Sequence, residues 1–140
     1  MLQIIKTSPH SKIPSRSTPQ SAGFDLFSIE SAKIEPHSNS LISIGLRLKI
    51  PDGYYGRIAP RSGISMTQNT IIGAGVIDAD YTGIVKVLIH NLNNHEINID
   101  LGVRIAQLII SPILLPQISI CENLENTTRN EGGFGSTGLF

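Results

Sequence analysis

Polar and apolar residues alternate along most of this chain, and the period is two rather than 3.6. Ile42-Ser43-Ile44-Gly45-Leu46-Arg47-Leu48-Lys49-Ile50 alternates at every step, which puts its large side chains on one face of a half-buried strand. Ile84 to Ile89, Ile97 to Leu101, Arg104 to Ile110 and Gln117 to Ile120 also read as strands. Turn-forming clusters separate them: Pro36 to Asn39, Pro51-Asp52-Gly53, and Asn91 to His95. Many short strands at near-regular spacing predict an all-β fold, an antiparallel jelly-roll-like barrel or sandwich. One short helix is expected from Ser62, which is placed to cap it, to about Gln68.

Two stretches lack the alternation. Thr7 to Ser21 is rich in Ser, Pro, Thr and Lys and reads as a loop. Glu122 to Phe140 carries Asn, Thr and Gly with few core-forming residues and reads as a mobile arm. The expected organisation is one β domain over residues 1–121 with an arm over 122–140. A chain of 140 residues suits one domain, and that size buries roughly 70% of its unfolded surface, enough for a core without disulfide or metal.

Charge and cysteine narrow the function classes. The 11 Lys and Arg match the 11 Asp and Glu, which argues against stable nucleic-acid binding by bulk charge and leaves room for a local anion site. Cys121 is the one cysteine, so no internal disulfide forms and a reducing, intracellular compartment is expected, cytoplasmic or nuclear. No apolar run approaches the ~20 residues of a membrane span, and Met1 to Lys6 is too short for a signal peptide. His10, His37, His90 and His95 are isolated and mostly in turns, and receive no role.

Five segments carry candidate chemistry, and each alone has a plainer reading. In Ala22-Gly23-Phe24-Asp25-Leu26-Phe27-Ser28, Asp25 is a site acid or a solvent-facing strand residue. Gly56 to Gly63 places Arg61, a hydroxyl and flexible backbone at a strand-to-helix turn, suited to an anion; an ordinary polar turn is the alternative. Gly73 to Gly83 reads as a hairpin with Asp78 and Asp80 at its tip. In an extended strand those two would share a face, and one carboxylate suffices as a general base. Within Arg104-Ile105-Ala106-Gln107-Leu108-Ile109, a regular strand sends Arg104 and Gln107 to opposite faces, and packing alone explains most of it. Arg129 to Gly138 sets Phe134 among Gly132, Gly133 and Gly135, followed by Ser136 and Thr137. Glycines let backbone N–H groups approach an anion, hydroxyls donate to phosphate oxygens, and a ring outside any core suits stacking on a base.

In this order and spacing the five segments resemble the five motifs of the trimeric deoxyuridine triphosphatase (dUTPase) family, over residues 22 to 138. Pro60-Arg61-Ser62-Gly63, Gly75-Val76-Ile77-Asp78 with Asp80-Tyr81, and Gly132 to Gly138 are the most specific matches. The resemblance implies an enzyme that hydrolyses dUTP to dUMP and pyrophosphate, keeping uracil out of DNA and supplying dUMP for thymidylate synthesis. It implies a homotrimer of jelly-roll subunits that share their active sites. Carried over, Asp78 activates the water that attacks the α-phosphorus. Tyr81 packs under the deoxyribose and excludes a 2′-hydroxyl. Backbone around Gly75 and Val76 reads the uracil edge. Arg61, Ser62, Gly63 and Gln107 contact the phosphate chain. Arg129, Gly135, Ser136 and Thr137 cover the γ-phosphate, and Phe134 stacks on uracil. Mg²⁺ rides mainly on the triphosphate, with Asp25 near its bound water.

Three positions depart from the family pattern. Val103 stands where an acid is common beside Arg104, Asn130 where glycine is common after Arg129, and Phe24 where many members have Tyr. Asn130 is expected to stiffen the arm or alter its approach. Two other functions fit the same general architecture: deamination of dCTP, which needs an acid at the cytosine amino group, and a non-catalytic jelly roll that binds nucleotide or protein. The joint presence of Asp78, Tyr81, Arg61 and Arg129 favours the hydrolase.

Overall fold

The computed structural model describes residues 1–132, and ten strands and one short helix account for its regular structure. β1 (Gln3–Lys6), β4 (Asn39–Lys49), β8 (Ile84–Asn91) and β6 (Thr70–Gly73) form one antiparallel sheet in the order β1-β4-β8-β6. β2 (Phe24–Phe27), β10 (Arg104–Pro112), β5 (Tyr54–Ala59) and β7 (Val76–Ile77) form the second, in the order β2-β10-β5-β7. β3 (Ala32–Ile34) and β9 (Ile97–Ile99) pair apart from both. The predicted all-β, antiparallel jelly-roll architecture is present as open sheets, with no closed barrel among the described residues.

One hydrophobic cluster joins the inner faces. Ile42, Ile44, Leu46, Leu48, Val85, Val87 and Ile89 from the first sheet meet Leu26, Ile58, Ile105, Ala106 and Leu108 from the second, with Ile34, Ile97 and Ile99 closing one end. These are the alternating positions of the strands, which is why period-two patterning located the core. Gly45 interrupts β4 at φ +65°, at the break in its ladder with β8. That ladder runs from Asn39 to Ser43 and resumes at Arg47↔Ile84, where Leu46 to Lys49 also take β1 on their other edge. The Gly45 carbonyl accepts Ser11 Oγ at 2.6 Å and Thr7 N at 2.9 Å, which ties down the serine-rich loop.

The helix α1 spans Ser62–Gln68, the predicted range. Ser62 does not cap it: it is the first helical residue, and the capping position belongs to Arg61, whose backbone is extended and whose side chain bonds elsewhere. Asn69 ends the helix in the left-handed conformation, which Asn tolerates better than most side chains.

Gln117 to Ile120 is not a strand. Ile118 and Ile120 are 95% and 100% exposed, because no other strand lies beside them within the described residues. Alternation supplies a face to bury, and a strand also needs a neighbour for its N–H and C=O groups. The last ladder ends at Pro112, and Ile113 N donates to Gly53 O at 3.0 Å.

A buried asparagine locks the β3–β9 pair to the domain. Asn91, 1% exposed, donates through Nδ2 to the carbonyls of Ile34 at 2.9 Å, Glu35 at 3.1 Å and His95 at 2.9 Å. Its Oδ1 accepts Asn93 N at 2.9 Å. Asn91→Leu keeps the volume and orphans these groups, so a loss of about 2–4 kcal/mol is expected in urea unfolding. A loss below about 1 kcal/mol would mean that water replaces the amide.

Candidate active site

The first half of the candidate site sits where a hairpin changes sheets. β6 pairs with β8 from Thr70↔Asn91 to Gly73↔Leu88. The chain then leaves that sheet, and β7 pairs with β5 through Arg57↔Val76 and Gly56↔Ile77. Two features permit the crossing. Ala74 takes φ +47°, and at Gly75 a side-chain Cβ would lie 2.5 Å from the Ile58 carbonyl oxygen. The bond from Ile58 N to Gly75 O, 2.7 Å, closes this approach. As a result, Ile84 to Val87 keep β4 on one side and, among the described residues, have no strand on the other.

A cleft of about 380 Å³ fills that gap, lined by Val76, Ile77, Asp78, Tyr81, Ile84 and Lys86 among others. Asp78 to Tyr81 is a turn, closed by Tyr81 N to Asp78 O at 3.1 Å. Asp78 and Asp80 are both exposed, and the turn replaces the extended strand in which they would share a face. Tyr81 Oη donates to Ile84 O at 3.0 Å, and its ring lies against Gly83, where any Cβ would strike it. The ring is thereby fixed at the mouth of the cleft.

The second half lies on the other edge of the β2-β10-β5 sheet. Ser17, Ser21, Gly23, Asp25, Arg61, Ser62, Gly63 and Gln107 line a small polar cleft of about 160 Å³. Asp25 is 7% exposed and accepts from Arg61 Nε at 2.8 Å and Arg104 Nη1 at 3.3 Å. Ser17 Oγ donates to its other side, at 3.4 Å from Oδ2. Gln107 Nε2 donates to the Pro60 carbonyl at 2.8 Å, bracing the turn that carries Arg61. Gly23 leaves the space that the Gln107 side chain occupies.

Arg104 and Gln107 fall on one face, not two. The register of β10 against β2 slips between Arg104↔Phe27 and Ala106↔Leu26. Ile105 and Ala106 are therefore buried in succession, and the extra residue turns Arg104 to the side of Gln107 and Asp25. A bulge leaves no reliable mark in a single sequence, although two adjacent apolar residues after a basic one are consistent with it. Ser17 and Ser21 were likewise hidden in a loop without pattern. They arrive through the isolated antiparallel bridge between Ser15 and Asp25.

One protomer does not bring the two halves together. Ile77, beside Asp78, pairs with Gly56, and Arg61 lies five residues further along the same chain segment. At 3.3 Å per residue that separates them by about 16 Å, with Asp78 on the far side. Arg129 is exposed in the segment beyond β10. Next to it, Asn130 takes φ +42° and exchanges bonds with Thr127, at 2.9 and 3.0 Å. Asn thus fills a backbone conformation that glycine also adopts. Phe134, Gly135, Ser136 and Thr137 lie outside the described residues. Among the described residues no group of three His, Cys, Asp or Glu is placed to hold a metal ion, and no helix is long and apolar enough to cross a membrane.

Comparison with known proteins gives the family. Residues 9–138 match the dUTPase family. A deoxyuridine 5′-triphosphate nucleotidohydrolase of Candida albicans is 45% identical, covering 98% of this chain and 87% of that protein. The Staphylococcus bacteriophage 80alpha dUTPase, solved with dUPNHPP, superposes with a TM-score of 0.93 at 31% identity, covering 99% of each chain. A point mutant of the dUTPase from phage phi11 of S. aureus, described with a structural Mg(II) ion, gives 0.85 at 28% identity over 90% of this chain and 99% of that one. The chain belongs to the dUTPase family.

Proposed function

We propose that this protein hydrolyses dUTP to dUMP and pyrophosphate by attack of water on the α-phosphorus. The observation that carries this reading is the opening between β7 and β8, which sets Asp78 and Tyr81 beside an edge of β8 that no strand pairs among the described residues. A planar base entered edge-on meets N–H and C=O groups there, around Gly75 and Val76, much as it would meet a pairing partner. The narrow gap leaves little space for a thymine methyl. One methyl clash is worth about 1–3 kcal/mol, so shape and hydrogen bonding act together. Tyr81 floors the sugar and crowds a 2′-hydroxyl. Asp78, exposed at the turn, takes the proton of the attacking water.

The polar cleft suits the phosphate chain. Arg61 offers its remaining guanidinium N–H groups, and Ser62 and Gly63 add a hydroxyl and backbone. Gln107 acts by holding the Pro60 carbonyl and thus the Arg61 turn. Mg²⁺ carried on the triphosphate oxygens supplies positive charge against the developing negative charge. Asp25 fits an indirect part: two oxygens offer about four lone pairs, and Arg61, Arg104 and Ser17 take three. That leaves one acceptor site, which a metal-bound water would fill. Residues 122–140 serve as an arm appended to a β domain of residues 1–121. Arg129, Gly135, Ser136 and Thr137 then cover the γ-phosphate, and Phe134 stacks on uracil. dUTP is an intracellular nucleotide, so the cytoplasm or nucleus is the working compartment.

The family resemblance implies a homotrimer, and the separation of about 16 Å along one copy fits a site that takes Asp78 from one copy and Arg61 from another. Sharing has a direct test. Asp78→Asn and Arg61→Ala proteins, each nearly inactive, are expected to regain activity when unfolded and refolded together, since mixed trimers contain sites with both residues intact. No recovery, with mixed trimers confirmed by native mass spectrometry, would place each site within one copy.

With Mg²⁺ present, dUTP alone among dUTP, dCTP, dTTP and UTP is expected to yield monophosphate and pyrophosphate rapidly. A uridine product from dCTP, or no turnover, refutes the assignment. Asp78→Asn should lower kcat by about 100-fold to 10,000-fold while nucleotide affinity is kept; a rate near wild type removes Asp78 from the base role. Deleting residues 129–140 should leave a folded trimer with far slower turnover, and full activity would show that the arm is not part of the site.

A further inference from the structure

Among the described residues Asp25 is the only acid lining the cleft that holds Arg61, Ser62, Gly63 and Gln107, yet it faces two arginines. Arg61 Nε lies 2.8 Å from Oδ1 and Arg104 Nη1 lies 3.3 Å from Oδ2. The side chain of Asp25 is 10% exposed, that of Arg61 25% and that of Arg104 51%. The carboxylate is thus the buried centre, Arg61 the inner cation and Arg104 the outer one. Two positive charges and one negative charge leave the group at +1. Without Arg104 the remaining pair would be neutral, with a buried carboxylate facing any phosphate that entered.

We propose that Arg104 is a positioning residue for polyphosphate binding: it offsets Asp25, so that Arg61, tethered through Nε, keeps its charge and terminal N–H groups for the anion. A guanidinium has five N–H groups. Among the described residues Arg61 uses only Nε, which leaves both terminal nitrogens as a two-pronged donor. Arg104 has one carboxylate partner among the described residues, Asp25, and reaches it only because of the bulge between Arg104 and Ala106. In a regular strand its side chain would leave the opposite face and Asp25 would hold Arg61 as a neutral pair. The identity of the natural anion rests on the dUTPase reading; the charge arrangement does not.

The test uses the full chain, inorganic pyrophosphate as the probe and EDTA to remove metal, with affinity measured by calorimetry. Arg104→Gln is expected to weaken binding about fivefold, the scale of one partly exposed charge. Arg104→Lys keeps the charge and should stay within about twofold of wild type. The decisive variant is Asp25→Asn with Arg104→Gln, which restores the local sum to +1 and should recover most of the lost affinity. A merely structural Arg104 predicts the reverse, since the double variant then removes two stabilising groups. Asp25→Asn alone keeps an acceptor for Arg61 Nε and should bind pyrophosphate more tightly than wild type, whether or not Arg104→Gln folds. In dUTP turnover, Arg104→Gln should raise KM with kcat little changed. Wild-type affinity in Arg104→Gln, a double variant no tighter than the single, or Asp25→Asn no tighter than wild type would each overturn the proposal. Absence of dUTP turnover in the wild type would instead refute the substrate and leave the pyrophosphate result to judge Arg104.

Discussion

The contact between Gly75 and Ile58 governs the architecture of the site. Gly75 O accepts Ile58 N at 2.7 Å, and a Cβ at that position would press on the Ile58 carbonyl. This approach pulls the chain out of the β1-β4-β8-β6 sheet after Gly73 and into the other sheet at Val76. β8 cannot follow, because β4 and the core residues Val85, Val87 and Ile89 hold it in place. The ladder therefore opens, and the opening is the cleft beside Asp78 and Tyr81. Unpaired backbone in a folded protein is costly unless water or a ligand satisfies it, so the cleft presents an exposed sheet edge to whatever enters it.

The other half of the site obeys an electrostatic constraint. Asp25 at 7% exposure needs compensation, and the fold supplies it from three separate segments: Ser17 from the loop, Arg61 from the turn before α1, and Arg104 from the start of β10. Each also anchors the backbone that carries it. Gln107 adds a fourth tie by holding the Pro60 carbonyl. The turn bearing Arg61 and Ser62 is thus fixed before any ligand arrives, as an anion site requires if binding is not to include the cost of ordering it.

Most of the fold was legible in the sequence because alternation reports burial directly: β4, β8, β9, β10 and α1 appear where patterning put them. What escaped were features set by partners distant in sequence. Gln117 to Ile120 has the alternation of a strand and no neighbour to pair with among the described residues. The bulge in β10 reversed the facing of Arg104, and Ser17 and Ser21 entered the cleft through a bridge at Ser15. For the candidate site, residue types and order singled out Asp78, Tyr81, Arg61 and Gln107, and the resemblance implied sites shared between copies; the structure adds the two clefts and the Pro60 carbonyl that Gln107 holds.

That separation and the failed strand bear on one another. Leu114, Leu115, Ile118, Ile120 and Leu124 are all more than three-quarters exposed, an apolar run on a segment with no cover among the described residues. Scattered single apolar residues on a surface need no explanation, but a contiguous run marks a binding surface. The homotrimer proposed above would meet both deficits. It would give the alternating Gln117 to Ile120 stretch something to lie against, and it would bring the Arg61 cleft to a hairpin whose neighbouring cations Arg47 and Lys49 are bonded to the carbonyls of Thr82 and Ala79. On this reading the incomplete strand and the divided site are two aspects of one requirement, that a protomer be finished by its neighbour.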